Sequence, residues 1–140
     1  LPYHFYKKDK YYKAFAKRNL GYNIIHSQDS ISLSLIADKN MSAKKIMTVH
    51  SKGPLSDELV HNVSNMKLKA RIKHKLKIYE LNSVELADII TFPSEAARKY
   101  YEESLGLSLC NDKVEIIHNG INDSEIQSIS IKNNLLKNIL

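Results

Sequence analysis

The sequence has a single cysteine, Cys110, and no long apolar run. One cysteine excludes an intrachain disulfide, and because no basic side chain is adjacent to it, we expect an inert thiol. No stretch of 18 apolar residues occurs, so no segment is predicted to cross a bilayer as a helix. These absences favour a reducing, cytoplasmic location.

Proline and glycine are also scarce, with three and four residues in a chain of 140. No stretch rich in proline or serine divides the sequence, so its hydrophobic residues, 43% of the total, are expected to form one core. The glycines fall at proposed boundaries between elements: Gly21, Gly53, Gly106 and Gly120. The sequence opens on Leu1 without an initiator methionine or a signal pattern, from which we expect a piece of a longer parent.

Three short apolar runs each end in a histidine. Ile24 and Ile25 precede His26, residues 46–49 precede His50, and residues 114–117 precede His118. A fourth run, residues 87–92, leads to Ser94. Such runs are typical of buried parallel strands, whose carboxyl ends meet at one edge of the sheet and there form the ligand crevice. The histidines are therefore the first candidates for a functional site.

Helical patterns separate these runs, at residues 5–18, 30–38, 66–87 and 95–105, and a further one follows residue 123. Asp29 or Ser30 can cap the second pattern, and Ser94 the helix at 95–105. Ser56 can cap another helix, with Asp57 and Glu58 favourably placed near its positive end. Strands that alternate with helices predict an α/β fold: a three-layer Rossmann-like domain with a mostly parallel sheet of about four strands flanked by helices.

The net charge of +6 suggests an anionic partner. The pattern at 66–87 holds six cations within eleven residues and no acid among them: Lys67, Lys69, Arg71, Lys73, Lys75 and Lys77. Such a helix can lie on an anionic membrane, or it can pack on the sheet with a solvated cationic face. Residues 5–18 mix lysines with aromatic residues, a pattern that can bind single-stranded nucleic acid or form a packed helix with solvated lysines.

Several motifs occur in order along residues 20–123. They are His26-Ser27-Gln28-Asp29, Thr48-Val49-His50, Glu80, Ala87-Asp88 with Ser94-Glu95, and His118-Asn119-Gly120-Ile121. This combination resembles the N-terminal domain of retaining GT-B glycosyltransferases of family four, the group-one sugar transferases. Two positions depart from the family pattern: Gln28 stands where many members have a second histidine, and Asn122 stands where aspartate is usual.

The resemblance implies a domain fragment. The family's opening strand, with its glycine-rich loop, would precede Leu1, and the donor-binding domain would follow Leu140. Residues 1–123 would form part of the Rossmann-like acceptor-side domain. Residues 124–140 would be a C-terminal helical segment or the start of the interdomain linker, after a hinge at Asn119 and Gly120.

The resemblance also implies roles for individual residues. His50 would be catalytic, in the cleft beside the donor sugar, where a neutral imidazole can hydrogen-bond a sugar hydroxyl and an imidazolium can stabilise a leaving phosphate. The substrate-binding residues would be His26, Asp29, Ser51, Lys52 and Gly53. The residues alone leave two alternatives open: His50 is merely hydrogen-bonded at a strand end, and Asp29 merely caps its helix.

As a family member, the intact enzyme would transfer a sugar, with retention, from a nucleotide-sugar donor to a lipid or glycan acceptor. The fragment would hold no cofactor and would be inactive alone. The enzyme would be cytoplasmic and peripheral on the inner face of the membrane, bound there by the six cations at 67–77. The alternative is a non-catalytic Rossmann-like module that binds nucleic acid or an anionic surface, with nucleic acid the less favoured partner.

Two other patterns do not predict a functional site. The rim histidines come from separate strands, without the short ligand spacing typical of a metal site, so no metal is expected. Glu95 and Glu103 have the spacing of the family's donor-site glutamates, but they lack its glycine-rich context. They are expected to be surface carboxylates.

Overall fold

A sheet of four parallel strands organises the chain. The computed structural model describes residues 10, 13–14, 21–37 and 42–120. The strands are β1 (Ile24–Ser27), β2 (Lys44–Thr48), β3 (Ile89–Phe92) and β4 (Val114–Ile116), and they pair in sequential order. All three pairings are parallel, so every strand ends at the same edge of the sheet. The predicted parallel, Rossmann-like sheet is confirmed.

Helices connect the strands: α1 (Ser30–Ile36), α2 (Leu55–Glu58), α3 (Met66–Leu86) and α4 (Glu95–Leu105), with a short 3-10 helix, Asn111–Lys113, before β4. The Asp29 carboxylate caps α1 by accepting from the Ser32 amide at 2.7 Å. Ser94 caps α4 in the same way. Gly106 ends α4 with a φ of 69°, a left-handed conformation that glycine adopts without strain. Local sequence signals thus set these boundaries as predicted.

The prediction that Ser56 caps α2 is wrong. Pro54 precedes the helix in an extended conformation, and Ser56 lies buried inside the helix. Its backbone amide donates to Oε2 of Glu80 at 3.4 Å. Glu80 belongs to α3 and is 24 residues away in sequence. Its carboxylate thus accepts the hydrogen bond from a first-turn amide of α2 that a local capping side chain would otherwise accept. Asp57 and Glu58 lie in the first turn of α2, as predicted.

One face of the sheet carries the larger core. Met47, Ile90 and Phe92 are at most 1% exposed, and they pack with Leu33 of α1 and Tyr101 of α4. The Phe92 and Tyr101 rings meet edge to face, with their centroids 5.4 Å apart. A second cluster joins α1 to α3 and consists of Ile31, Val60, Ile72 and Leu76. This packing holds the helices against the sheet from one side.

The opposite face of the sheet carries His26, Thr48 and Thr91, because side chains alternate along a strand and Thr48 pairs with Thr91. The helices that contribute to the main core lie on the Met47 face. The predicted helix at 5–18, apart from residues 10, 13 and 14, lies outside the described residues, as do Asp38, Asn122 and the segment 124–140. The domain boundary at residue 123 stays a prediction.

Candidate functional site

The carboxyl ends of the strands bring the predicted histidines to one edge of the sheet. His26 lies in β1, His50 follows β2, and His118 follows β4. His118 Nδ1 donates to the carbonyl oxygen of Pro93, just after β3, at 3.1 Å. Residues from all four strand ends therefore meet at this edge, where a parallel sheet offers its ligand crevice.

A chain of polar side chains crosses this edge from β3 to His50. The Thr91 hydroxyl donates to Thr48 Oγ1 at 2.8 Å, and Thr48 Oγ1 lies 2.8 Å from His26 Nε2. The Gln28 amide nitrogen donates to the same His26 nitrogen at 3.2 Å. The Gln28 amide oxygen accepts from His50 Nε2. Gln28 thus joins the two histidines, a role that sequence reasoning missed.

Gln28 connects the two rings, and the orientation of its amide and the ring tautomers depend on one another. With the amide nitrogen toward His26, the His26 Nε2 lone pair accepts from Gln28 or from the Thr48 hydroxyl, since one lone pair accepts one full hydrogen bond. His50 donates through Nε2, so its neutral ring has a lone pair on Nδ1. Gln28 is the only hydrogen-bond partner of the His50 ring within the described ranges. The Nδ1 atom of His50 therefore remains available to a ligand.

A cavity of about 230 Å³ opens beyond the ends of β1 and β2. Gln28, Asp29 and His50 line it on the strand side, together with the start of the loop that follows β2. Three buried residues are also among those that line it: Ser30 of α1, Glu80 of α3 and Tyr101 of α4. The cavity thus lies between the rim of the sheet and these three helices.

Glu80 is the least expected of the residues that line this cavity. It is fully buried, and burial raises the pKa of its carboxyl group although hydrogen bonds from Ser56 and Leu55 lower it; the negative charge of Asp57 raises the pKa further. The sequence placed Glu80 in a basic helix and among the family motifs, without a role. A signal was present: Ile72, Leu76 and Glu80 are spaced by four residues, which places a carboxylate on the buried stripe of α3.

Asp29 serves as a cap in this structure. Its Oδ1 accepts from the Ser32 amide and its Oδ2 from the Ser32 hydroxyl, at 2.7 and 2.6 Å. The Ser27 hydroxyl donates to the Asp29 carbonyl oxygen at 2.6 Å. Asp29 is also among the residues that line the cavity. Its predicted role in substrate binding stays a prediction.

The loop after β2 separates this cavity from a second one. The Ser51 hydroxyl donates to the Gly53 carbonyl oxygen and tightens the loop. A Cβ atom at Gly53 would lie 2.3 Å from the Tyr100 ring, so a larger residue requires that ring to move. The second cavity, of about 590 Å³, lies between the loop and the start of α4 and is lined by His50, Ser51, Lys52 and Tyr100, among others. His50 and Ser51 line both cavities.

The six cations of α3 do not form one solvent-facing stripe. They occupy every second position, whereas a helical face repeats at three and four residues, so they lie on both flanks of the buried stripe. Lys67, Arg71 and Lys73 are exposed, and Lys69, Lys75 and Lys77 are half-buried. Lys73 pairs with Asp57 at 2.5 Å, and the Lys75 ammonium lies 5.6 Å from the Tyr79 ring centre. The cations thus divide between two flanks with different environments, and their role in membrane binding stays a prediction.

Asn119 and Gly120 follow β4 at the end of the described part, and both are exposed. Their role as a hinge stays a prediction. Within residues 21–37 and 42–120, no group of three or more histidine, cysteine or carboxylate side chains could hold a metal ion. None of the described helices is long and apolar enough to cross a membrane.

Replacing Glu80 with glutamine is expected to change how stability depends on pH. Because the native pKa lies above the ordinary value of 4.5, the native chain binds this proton more tightly than the unfolded chain. The contribution of Glu80 to stability is therefore full below about pH 4.5 and is lost as pH rises through the native pKa. We expect the unfolding free energy of the wild type to fall, relative to that of Glu80→Gln, as pH rises above about 4.5.

Urea denaturation followed by circular dichroism at several pH values measures this difference. Glu103→Gln is the matched control, because Glu103 is an exposed carboxylate of α4. The control is expected to follow the wild type at every pH. Parallel curves for the wild type and Glu80→Gln would contradict a raised native pKa.

Comparison with known proteins adds one finding. The family model described as Glycosyltransferase Family 4 matches residues 1–125. Neither the curated proteins nor the solved structures contain a significant match to the chain. The family match covers every residue of the candidate site described above.

Proposed function

The chain belongs to glycosyltransferase family 4, and from this we propose that it forms the acceptor-side half of an active cleft. In the proposed reaction, a sugar moves from a nucleotide-sugar donor to a lipid or glycan acceptor with retention of configuration. A second domain, which binds the nucleotide sugar, completes the cleft. The chain alone is then inactive, and the enzyme works in the cytoplasm.

The position of His50 carries this proposal. His50 lines the cavity at the ends of β1 and β2 and also the cavity at the start of α4. A residue between two cavities can contact two substrates, as transfer of a group from a donor to an acceptor requires. Ser51 shares this position, and Lys52 lines the second cavity, where its charge suits a phosphate.

The hydrogen bond that His50 donates to Gln28 determines which ring nitrogen can meet a substrate. With Nε2 donating to Gln28, neutral His50 presents a lone pair on Nδ1 and can accept a hydrogen bond from a sugar hydroxyl. When protonated, Nδ1 becomes a donor, and the imidazolium can stabilise the negative charge of a departing phosphate. His26 supports this arrangement because its Nε2 atom lies within hydrogen-bond distance of the Gln28 amide nitrogen, which fixes the Gln28 side chain.

Sugar transfer by the product of the complete open reading frame tests the proposal. We expect that protein to release nucleoside diphosphate from UDP-glucose or GDP-mannose when an acceptor is present, and we expect the 140-residue chain to release none. Release by the chain alone would contradict the division of the cleft between two domains. No transfer by the complete protein, with a broad panel of donors and acceptors, would contradict the function itself.

We further propose that α3 holds the enzyme at an anionic membrane surface, where a lipid-linked acceptor is met. Lys67 and Arg71 are exposed one turn apart, and α3 also exposes large apolar side chains: Met66 and Leu68 near these cations, and Ile78 and Leu81 two turns or more further along the helix. Cations with neighbouring apolar groups are the composition by which interfacial helices bind acidic lipid. Lys73 contributes less to this surface because its charge is paired with Asp57.

Replacing Lys67 and Arg71 together with glutamine is expected to weaken binding to vesicles that contain phosphatidylglycerol. Each surface cation is worth about 1 kcal/mol near an anionic membrane, so two replacements predict a loss of about ten-fold or more at low salt. Binding is also expected to fall as salt shortens the Debye length to ~8 Å near physiological ionic strength. Co-sedimentation at low and high salt measures both effects.

The matched control is the double variant Lys52→Gln with Lys99→Gln, which removes two exposed cations outside α3. This variant is expected to bind vesicles nearly as well as the wild type. Equal loss in both double variants would mean that net charge, and not α3, drives binding. A parallel titration with a short single-stranded oligonucleotide tests nucleic acid as the preferred anion, and tighter binding there would favour the alternative function.

A further inference from the structure

The Gln28 side chain lies between the rings of His26 and His50. Its amide nitrogen is 3.2 Å from His26 Nε2, and its amide oxygen accepts a hydrogen bond from His50 Nε2. All three residues are exposed, so the core does not hold their side chains in place. The hydrogen bonds of Gln28 therefore join two rings that packing alone would leave free to turn.

The two ends of the Gln28 amide differ in their hydrogen bonding, because the nitrogen only donates and the oxygen only accepts. A neutral imidazole carries its proton on one nitrogen, so each Nε2 atom either donates or accepts. The ring at the amide nitrogen must accept through Nε2, whereas the ring at the amide oxygen must donate through Nε2. Whichever way the amide is turned, Gln28 thus requires opposite tautomers in His26 and His50.

Thr48 selects between the two orientations of the amide. Its hydroxyl oxygen accepts from the Thr91 hydroxyl at 2.8 Å and lies 2.8 Å from His26 Nε2. The hydrogen of the Thr48 hydroxyl is then directed to His26, which accepts it with the Nε2 lone pair. Thr91 is 5% exposed, so the sheet holds this end of the network. The network therefore favours a proton on Nδ1 of His26 and, through Gln28, a proton on Nε2 of His50.

The consequence for His50 is a defined free nitrogen. His50 lines both cavities, and with its proton on Nε2 the Nδ1 atom offers a lone pair to a ligand. With the opposite tautomer, Nδ1 would be a donor and could not accept a hydrogen bond from a hydroxyl group. Because an amide does not ionise, Gln28 orients His50 and does not act as its acid or base.

We propose that Gln28 is a positioning residue for His50: it links His26 and His50 as opposite tautomers and thereby presents the Nδ1 lone pair of His50 to the ligand. This inference rests on the proposed function, in which His50 meets the substrates. It gives Gln28 a role that does not require contact with a substrate. That role depends on the difference between the two ends of the amide.

Replacing Gln28 with glutamate is the most direct test, because a carboxylate keeps the size of the side chain but has acceptors at both ends. Both rings must then donate through Nε2. We expect His26 to shift from the Nδ1–H to the Nε2–H tautomer, with the ratio of the two changing by about five-fold or more. Long-range ¹H–¹⁵N correlation spectra of the ¹⁵N-labelled chain measure the tautomers at about pH 9, where imidazoles are neutral.

Asn82→Asp is the matched control, since it exchanges an exposed amide for a carboxylate on α3, outside both cavities. It is expected to leave the tautomers of both rings unchanged. The variants His26→Asn and His50→Asn assign the ring signals among the six histidines. His74, exposed on α3, is the internal reference for a solvated ring.

Gln28→Met keeps the length of the side chain and removes both polar ends. In the chain, it is expected to bring the tautomer ratio of His50 to that of His74. In the complete protein, it is expected to lower kcat about five-fold, the effect of losing one hydrogen bond. In a His50→Ala background the same replacement should change kcat by less than about two-fold, because the residue that it positions is gone.

The outcomes separate this role from the proposed function. Opposite tautomers in the wild type, with a shift of His26 in Gln28→Glu and none in Asn82→Asp, would support the proposal. The same tautomer in both rings, no response to Gln28→Glu, or an equal loss of kcat with and without His50 would overturn it. If the complete protein transfers no sugar, the proposed function fails, and the spectra of the chain still decide whether Gln28 sets the two tautomers.

Discussion

Replacing His50 with alanine in the complete enzyme is expected to lower kcat at least ten-fold, with little change in stability. His50 lies exposed at the rim, where it contacts both cavities and donates to Gln28. Loss of one preorganised hydrogen-bonding group in a catalytic site commonly costs ~2.7–4 kcal/mol, or about 100- to 1,000-fold in rate. Because the side chain is not part of the core, the fold should not depend on it.

Initial-rate kinetics with saturating donor and acceptor measure this effect. His61→Ala is the matched control, since His61 is an exposed histidine outside both cavities. The control should keep the wild-type kcat and KM. If His50→Ala also retains wild-type kinetics, then His50 is only a hydrogen-bonded residue at the end of a strand.

Replacing Phe92 with alanine is expected to lower the unfolding free energy of the chain by about 3–5 kcal/mol, which is a large share of the stability of a small domain. Phe92 is 1% exposed, ends β3 and packs edge to face on Tyr101. Its truncation removes apolar contacts and leaves a cavity where β3 meets α4.

Chemical denaturation of both proteins measures the change. Ile78→Ala is the control, because Ile78 is a large apolar residue that is 45% exposed on α3. We expect a loss of less than about 1 kcal/mol there. Similar losses in the two variants would mean that the Met47 face of the sheet does not carry the main core.

The sequence predicts the elements of this fold well because their signals are local. Asp29, Ser94 and Gly106 act within three or four residues of the helix ends that they define. The apolar run that precedes His50 is short and forms β2, which lies between β1 and β3. The run that precedes His26 forms β1, which pairs only with β2 among the described residues, and its Ile24 is 62% exposed, so the prediction of a buried strand is wrong there. Parallel pairing then follows from the alternation of strands and helices, which also places the histidines at one edge.

The contacts inside the site cannot be predicted from local sequence signals, because they join residues that are far apart in the chain. Glu80 meets Ser56 across 24 positions, and Gln28 meets His50 across 22. Nothing near Ser56 in sequence indicates that a carboxylate from α3 will reach its amide. For this reason the sequence predicts the wrong capping residue for α2, and it does not predict that Gln28 contacts both His26 and His50.

The cations of α3 show a different limit of sequence-based prediction: composition gives the charge of a helix but not the position of each charge around it. A count of charges predicts a cationic helix correctly, but it does not say which side each charge takes. A spacing of two residues rotates successive side chains by about 200°, so alternate cations fall on opposite flanks. One of them, Lys73, then meets Asp57 of α2, a contact that depends on how the two helices pack.

The anomeric configuration of the product tests the central claim most directly. The complete protein would be incubated with UDP-glucose, an α-linked donor, and an acceptor that it glycosylates, and the coupling constant of the new anomeric proton would be measured by nuclear magnetic resonance. A retaining enzyme of the kind proposed gives an α-linked product, and His50→Ala should form the same product more slowly. A β-linked product would contradict retention, and no product from any nucleotide-sugar donor would contradict the assignment of this chain to a transferase cleft.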